Sequence, residues 1–239
     1  TVDADGGADY TSLDAALNDI AGGLDIDTIK FVGNDVDTFT WSTYLSQSIG
    51  TITFKGTKSD PDSFPVIIHS NHSTYNFFNV TNGRFERVVI SGPRGLNMGQ
   101  SANTHEFINC VFRDITSTNE DPYAVHVEGI TALRLVNCLF EGNTCNNVIS
   151  INPWGGNPAV TITNCTFDNN TSVFSADPGG SIANYSFINN IFSGNTTTFR
   201  GNNLRGKTTY SLTSEDIAGY GTGCVSNSNP QYHFGNRNK

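Results

Sequence analysis

The stretch TITNCTFDNN, from Thr161 to Asn170, decides the fold because the chain contains versions of it four times. The other versions are FINCVFRDI at Phe107–Ile115, RLVNCLFEGN at Arg134–Asn143 and SFINNIFSGN at Ser186–Asn195. They share an asparagine that recurs at steps of 28, 27 and 25 residues, namely Asn109, Asn137, Asn164 and Asn189. Self-similarity at such a period is typical of a stacked array of structural repeats.

Each repeat has the pattern of three short strands separated by turns. In the quoted copy, Ile162, Cys165 and Phe167 follow a strand-like alternation, and a further apolar stretch such as YAVHVEG at Tyr123–Gly129 completes most units. Three strands per unit make one coil of a parallel β-helix, in which like residues form ladders at strand spacing. We therefore predict an all-β, single-domain parallel β-helix of seven or eight coils over residues 1–239, most regular at 106–195.

The repeated residues are expected to build the wall of this helix. A sharp bend between two strands needs a left-handed backbone, which asparagine tolerates, and stacked asparagine amides can hydrogen-bond to each other. The phenylalanines that follow are expected to fill the core. The predicted structural ladder consists of Asn109, Asn137, Asn164, Asn189, Phe112, Phe140, Phe167 and Phe192.

The opening VDADGGADYTSLDAALNDI, at Val2–Ile20, combines a strand, a Gly-rich turn and a helix. With this opening and its repeats, the chain resembles the right-handed parallel β-helix, or pectin-lyase-like, superfamily over nearly its whole length. Its Phe-x-x-Asn motifs and the single GGSI at Gly179–Ile182 are similar to polymorphic outer membrane protein repeats. The motifs are Phe140–Asn143, Phe167–Asn170, Phe187–Asn190 and Phe192–Asn195.

Residues 12–21 are predicted to form a short α-helix that plugs the N-terminal end of the core. Thr11 or Ser12 can cap it, and Gly22 and Gly23 can end it. Its apolar face would comprise Leu13, Ala16, Leu17 and Ile20. The helix could instead lie to one side of the coils. At the other end, Tyr232 and Phe234 alternate as in a final strand, and no amphipathic helix follows them.

The composition and the net charge exclude some classes of binding partner. Only 15% of residues are charged and 24 are glycine, which favours strands joined by tight turns. The net charge of −9 argues against nucleic acid, and without a run of 18 apolar residues no membrane insertion is predicted. The net charge of residues 1–62 is −8, and that of residues 200–239 is +3. Because the chain starts without methionine, we expect a processed chain or an excised domain.

The resemblance implies an enzyme that acts on acidic polysaccharides. Such an enzyme would use basic residues for the reaction and would often bind calcium through aspartates. The paired-aspartate motifs of pectinesterase-like members are missing from this sequence. Arg113 and Arg134 look isolated, and no Lys or Arg cluster is expected at a repeated position. The acidic stretch Asp3–Asp9 lacks the spacing of a calcium loop, so we expect a structural turn there. The sequence therefore favours a protein that is not an enzyme, with no cofactor; Ca²⁺ remains the alternative.

The residues that flank the repeated asparagine are uncharged and mostly β-branched, and they are predicted to face solvent. Such a stripe is either covered by a loop or forms a contact surface, because exposed apolar stripes mark partners. The candidate contact stripe consists of Ile108, Val111, Val136, Leu139, Ile188 and Ile191, with Thr163 and Thr166 between them.

Other candidate sites lie outside the repeated phrase. Trp154, in NPWGGNP, could stack on a sugar ring or pack locally. His126 and Glu128 share one strand face near Glu120–Asp121, where a solvated polar face is the preferred interpretation over an acid–base or metal site. Cys110, Cys138 and Cys165 share one ladder as core thiols with one bridge possible between them, and Cys145 could form a disulfide with Cys224.

Three functions are compatible with these patterns. We expect a non-catalytic, secreted or cell-surface β-helix that serves as a structural, adhesive or filament-forming module. A polysaccharide lyase or glycosidase and a carbohydrate-binding module are the alternatives. The partner would be another copy of the chain, a cell surface or a polysaccharide. The opposite charges of the two ends favour head-to-tail stacking, with lateral contacts through the stripe as a second route.

Overall fold

The computed structural model describes residues 1–2, 6–32, 37–41, 49–69, 80–93, 95–98, 104–116, 123–152, 158–176, 183–200, 204–213 and 220–226. Within these ranges the chain is a parallel β-solenoid, in which strands of successive coils pair in parallel and build three sheets. One α-helix, Leu13–Ala21, and two 3₁₀ turns, Pro61–Ser63 and Arg205–Lys207, are the described helical elements. The predicted all-β parallel β-helix is confirmed.

In the described part of the chain, the first sheet has eight strands: Thr28–Phe31, Ile49–Gly56, Val80–Glu86, Thr104–Ile108, Ala132–Val136, Ala159–Thr163, Tyr185–Ile188 and Thr208–Thr209. The described strands of the second sheet number nine: Thr38–Trp41, Val66–His69, Val89–Gly92, Val111–Ile115, Leu139–Glu141, Thr166–Asp168, Ile191–Ser193, Leu212–Thr213 and Val225–Ser226. Those of the third sheet number five: Leu96–Met98, Tyr123–Glu128, Asn147–Asn152, Ser172–Ala176 and Thr197–Arg200.

The solenoid has about five complete turns, fewer than the predicted seven or eight. The first two sheets do contain eight and nine strands, but in the described ranges the third sheet begins only at Leu96–Met98. The similar stretches ITFKG and VVISG look like successive coils in the sequence, but they form different sides of the solenoid. Ile52–Gly56 lies in the first sheet and Val89–Gly92 in the second.

The corner between the first and second sheets is built on left-handed residues in seven successive coils. Their φ angles lie between 50° and 76°, a region that asparagine and glycine tolerate best. The side-chain amide of Asn189 donates to Asn164 Oδ1 over 2.6 Å, one rung of an amide ladder. This corner column consists of Arg87, Asn109, Asn137, Asn164, Asn189, Tyr210 and Gly223.

The residue after each corner begins the next side of the coil, and from Cys110 onward its side chain hydrogen-bonds to the backbone of a neighbouring coil. The Cys138 thiol donates weakly to Phe107 O at 3.4 Å, and the Asn190 amide donates in the same way to Ile162 O at 3.0 Å. At this position a cysteine thiol therefore makes the same kind of contact with the preceding coil as an asparagine amide. The inner column consists of Val88, Cys110, Cys138, Cys165, Asn190, Ser211 and Cys224.

The possible Cys145–Cys224 disulfide is not formed, because all five cysteines are free thiols. Cys224 directly follows Gly223 of the corner column, and its thiol donates to Thr208 O at 3.3 Å. Cys145 is buried close to Asn147, at the approach to the third sheet. The two residues lie at different corners and on coils that are not adjacent, beyond disulfide reach. The possible bridge within the Cys110–Cys138–Cys165 ladder is likewise not formed.

The next corner, between the second and third sheets, contains a fully buried asparagine in the Phe-x-x-Asn motif. Asn170 Oδ1 accepts from both the backbone and the side-chain amide of Asn143, at 3.2 and 2.8 Å. Its own amide donates to Phe140 O at 3.0 Å and to Asn195 Oδ1 at 2.9 Å. The motif thus supplies a core phenylalanine and, three residues later, an asparagine side chain that hydrogen-bonds to backbone groups of the corner.

The core is a set of stacked aromatic rings. Phe112, Phe140, Phe167 and Phe192 are fully buried, with centroids 4.5, 4.8 and 5.3 Å apart along the column. The helix closes this core at its N-terminal end: Ser12 Oγ accepts from Ala15 N, and Gly22 follows the last turn. The buried helix residues belong to the same apolar cluster as the first strands, namely Leu13, Ala16, Leu17 and Ile20.

Replacement of Asn164 by valine should lower the free energy of unfolding by about 1–2 kcal/mol, because a β-branched residue is strained at φ 55°. The substitution Asn164→Gly is the matched control, since glycine adopts this conformation without strain. Urea denaturation of the three proteins measures the difference. An unchanged stability for Asn164→Val would contradict the corner's dependence on backbone conformation.

Candidate functional site

The predicted contact stripe divides into two columns on either side of the corner. Ile108, Val136 and Ile188 lie in one row on the outer face of the first sheet, where Ile108 and Val136 are half-buried and Ile188 is exposed. In the second sheet, Val111, Leu139 and Thr166 form the adjacent row and are buried, whereas Ile191 is half-buried.

The predicted exposure of Val111, Leu139 and Thr166 is therefore wrong. Phe64, which follows the 3₁₀ turn Pro61–Ser63, packs on Val111, Leu139 and Val89 in a separate apolar cluster outside the main core. A segment far upstream in the sequence thus covers this part of the stripe. The covering-loop alternative holds for Val111 and Leu139.

The stripe becomes exposed at the C-terminal end of the solenoid. Ile188, Tyr210 and Val225 are exposed by 37%, 63% and 53%, and they lie on the last coils of the same corner. Ile188 pairs with Thr209, the neighbour of Tyr210, and Val225 pairs with Leu212 on the next strand. We call these three residues the corner patch.

Tyr210 occupies a position that suits it poorly. Its φ of 50° places a bulky residue in the left-handed region, where the four coils directly before it have asparagine. One side of its ring lies against Gly223, where any β-carbon would collide with the ring. Its backbone N–H donates to Thr222 O at 3.0 Å, which fixes the residue to the last coil.

The opposite end carries one exposed large apolar side chain among the described residues. Leu24, 50% exposed, follows the N-terminal helix, and its N–H donates to Asp19 O at 3.0 Å. Asp19, Asp25 and Asp27 are exposed around it in sequence. We call Leu24 and these three aspartates the acidic cap.

The first sheet carries an ion-pair network on its outer face that the sequence pattern did not predict. Lys55 Nζ and Arg84 Nε reach Glu86 at 3.1 and 2.6 Å. Arg84 and Arg134 both reach Glu106 at 2.8 Å. Arg134 is thus not isolated, and basic residues do line a repeated position. Burial favours a raised pKa for Glu86, but hydrogen bonds from Arg84 and Lys55 outweigh it and lower that pKa.

His105 is a titratable group inside the core. It lies beside Gly83 of the preceding coil and Leu133 of the next, and burial lowers its pKa from 6.5 to about 4. Between these values the unfolded chain binds a proton that the folded chain does not. Stability should therefore fall as the pH drops from about 6.5 to about 4.

The His105 contribution should amount to about 3 kcal/mol at the acidic end of this range. Urea denaturation of the wild type and of His105→Leu at pH 7 and pH 4.5 isolates it from the carboxylates, which both proteins share. The wild type should lose about 2–3 kcal/mol more than the variant. Parallel pH profiles would contradict a buried neutral imidazole.

The outer face of the third sheet presents recessed polar side chains. The Tyr123 and His126 rings stack with centroids 4.6 Å apart, and His126 is in register with Ser150, both nearly buried. Trp154, Glu120, Asp121 and the side chain of Glu128 lie outside the described residues, as do Asp3–Asp5, Gly179–Ile182, Tyr232 and Phe234. No group of three or more metal-ligating side chains occurs in the described ranges.

Comparison of the chain with protein-family models, curated proteins and solved structures gave no match. The structure itself shows the fold class, which is a parallel β-solenoid. Over the described ranges, no helix has the length and apolar character required to cross a membrane.

Proposed function

We propose that this chain is a non-catalytic, extracellular β-helix module of the pectin-lyase-like kind that acts through a contact surface at its C-terminal end. The observation that carries the proposal is Tyr210, an exposed aromatic residue held in a left-handed conformation. Strained residues of this kind cluster at functional sites, where the surrounding structure maintains them. Asparagine or glycine would serve the corner at lower cost.

The composition of the corner patch supports a contact role. Tyrosine supplies a large rigid surface with a polar tip and is enriched at interfaces, and Ile188 and Val225 extend the apolar area. Because the three side chains are already partly buried, covering their exposed portions contributes roughly 2–5 kcal/mol, which the entropic cost of association, about 4–15 kcal/mol, offsets. We therefore expect a weak, concentration-dependent association.

Sedimentation velocity over a wide concentration range tests this function. The wild type should shift to larger species as concentration rises, and Tyr210→Asn should stay monomeric because it removes the ring but suits the corner. Arg87→Asn is the matched control, since it makes the same kind of change in the same column far from the patch. A monomeric wild type, or a Tyr210→Asn protein that associates like the wild type, would refute the proposal.

A polysaccharide-binding or polysaccharide-cleaving function is the second candidate. The Tyr123–His126 ring stack beside Ser150 favours it, because sugars bind to aromatic faces flanked by hydrogen-bonding groups. A panel of polysaccharides assayed for bound protein and for new unsaturated or reducing ends tests both forms. Retention or cleavage that disappears in His126→Ala would support this candidate, and an inactive wild type would eliminate it.

A further inference from the structure

We propose that the partner of the corner patch is the acidic cap of a second copy of this chain, so that the molecules join head to tail. This inference rests on the proposed contact function of the C-terminal end and identifies what binds there. It concerns two surfaces of one chain, the corner patch of Ile188, Tyr210 and Val225 and the acidic cap around Leu24.

The distribution of exposed apolar side chains supports this pairing. In the described part of the chain, four large hydrophobic residues are exposed: Leu24, Ile188, Tyr210 and Val225. Leu24 belongs to the N-terminal end and the other three to the last coils, so apolar exposure is concentrated at the two ends. A contact that buries the corner patch against Leu24 would cover all four.

Charge distinguishes a head-to-tail contact from a contact between two identical ends. Three exposed aspartates surround Leu24 in sequence, whereas the half-buried Lys207 lies directly before the strand that leads to Tyr210. The net charge of residues 1–62 is −8 and that of residues 200–239 is +3, so each of these segments has the same sign as the charged side chains named here. Identical ends would bring like charges together, and opposite ends bring opposite charges together.

The secondary structure defines how the two ends meet. The helix Leu13–Ala21 closes the N-terminal end, with its apolar face buried in the core. The contact therefore joins side chains of the acidic cap to the last coils, without a sheet that continues from one molecule to the next. A head-to-tail contact leaves one cap and one patch unoccupied in each complex, so it propagates unless the geometry closes into a ring.

A complementation experiment by sedimentation velocity tests the pairing. Leu24→Ser removes the apolar centre of the cap but leaves the patch intact, and Tyr210→Asn does the reverse. Each variant alone should be monomeric, and an equimolar mixture should form a 1:1 complex that does not grow further. Asp25→Lys provides a second cap variant, and thermal melting verifies that all variants fold like the wild type.

Each outcome is decisive. If Leu24→Ser associates like the wild type while Tyr210→Asn is monomeric, the patch binds another patch, and the head-to-tail inference fails although the contact function survives. If the wild type is monomeric at high concentration and low salt, both fail. In the head-to-tail case, raising the salt from 0.05 to about 0.5 M should also weaken association, because screening shortens the reach of the opposing charges.

Discussion

The substitution Phe167→Ala is expected to lower the free energy of unfolding by about 3–5 kcal/mol, the cost of a core cavity left by a large aromatic residue. Phe167 is fully buried and stacks between Phe140 and Phe192, at 4.8 and 5.3 Å, with the edge of Phe174 at 5.0 Å. Rings from adjacent coils limit how far the wall can relax into the space.

Urea denaturation measures this loss, with Phe167→Leu as the matched control that keeps most of the volume. The control should lose less than about 1.5 kcal/mol. Equal losses for the two variants would mean that the aromatic column does not determine stability at this coil.

The substitution Asn170→Ala should cost about 3–4 kcal/mol, because it removes several hydrogen bonds from a buried corner. The backbone N–H of Asn143 and the carbonyl of Phe140 would lose the partners that Asn170 provides. Each buried polar group left unsatisfied costs about 1–3 kcal/mol.

Asn169→Ala is the control for this prediction: the neighbouring residue lies exposed, its side-chain amide donates to Asp168, and the expected cost is only the roughly 1–2 kcal/mol of placing alanine at φ 53°. Denaturant titrations of both variants give the comparison. If Asn169→Ala proved as destabilising as Asn170→Ala, the buried amide would not be the element that holds the corner.

The regular coils could be predicted because their physical requirements leave a clear trace in the sequence. A left-handed corner favours asparagine, the core favours phenylalanine, and the interval between corners is nearly constant from Asn109 to Asn189. Tyr210 and Gly223 continue the same column but were missed, because the intervals shorten to 21 and 13 residues and the asparagine is absent. Their only signal was Cys224, which repeats the cysteine after the corner.

Contacts between segments distant in sequence were not predictable from the repeat. The ion-pair network depends on the pairing of Arg84 with Glu106 and of Glu106 with Arg134, across coils of unequal length. The burial of Leu139 depends on Phe64, which belongs to an irregular early coil. Periodicity specifies which face a residue takes, and tertiary structure decides what covers that face.

The central claim is that this solenoid associates through its ends, and small-angle X-ray scattering over a concentration series tests it most directly. End-to-end association should increase the radius of gyration while the cross-sectional radius stays that of one solenoid, and Tyr210→Asn should abolish the increase. A cross-section that grows with concentration, or a scattering curve that stays monomeric throughout, would contradict the claim.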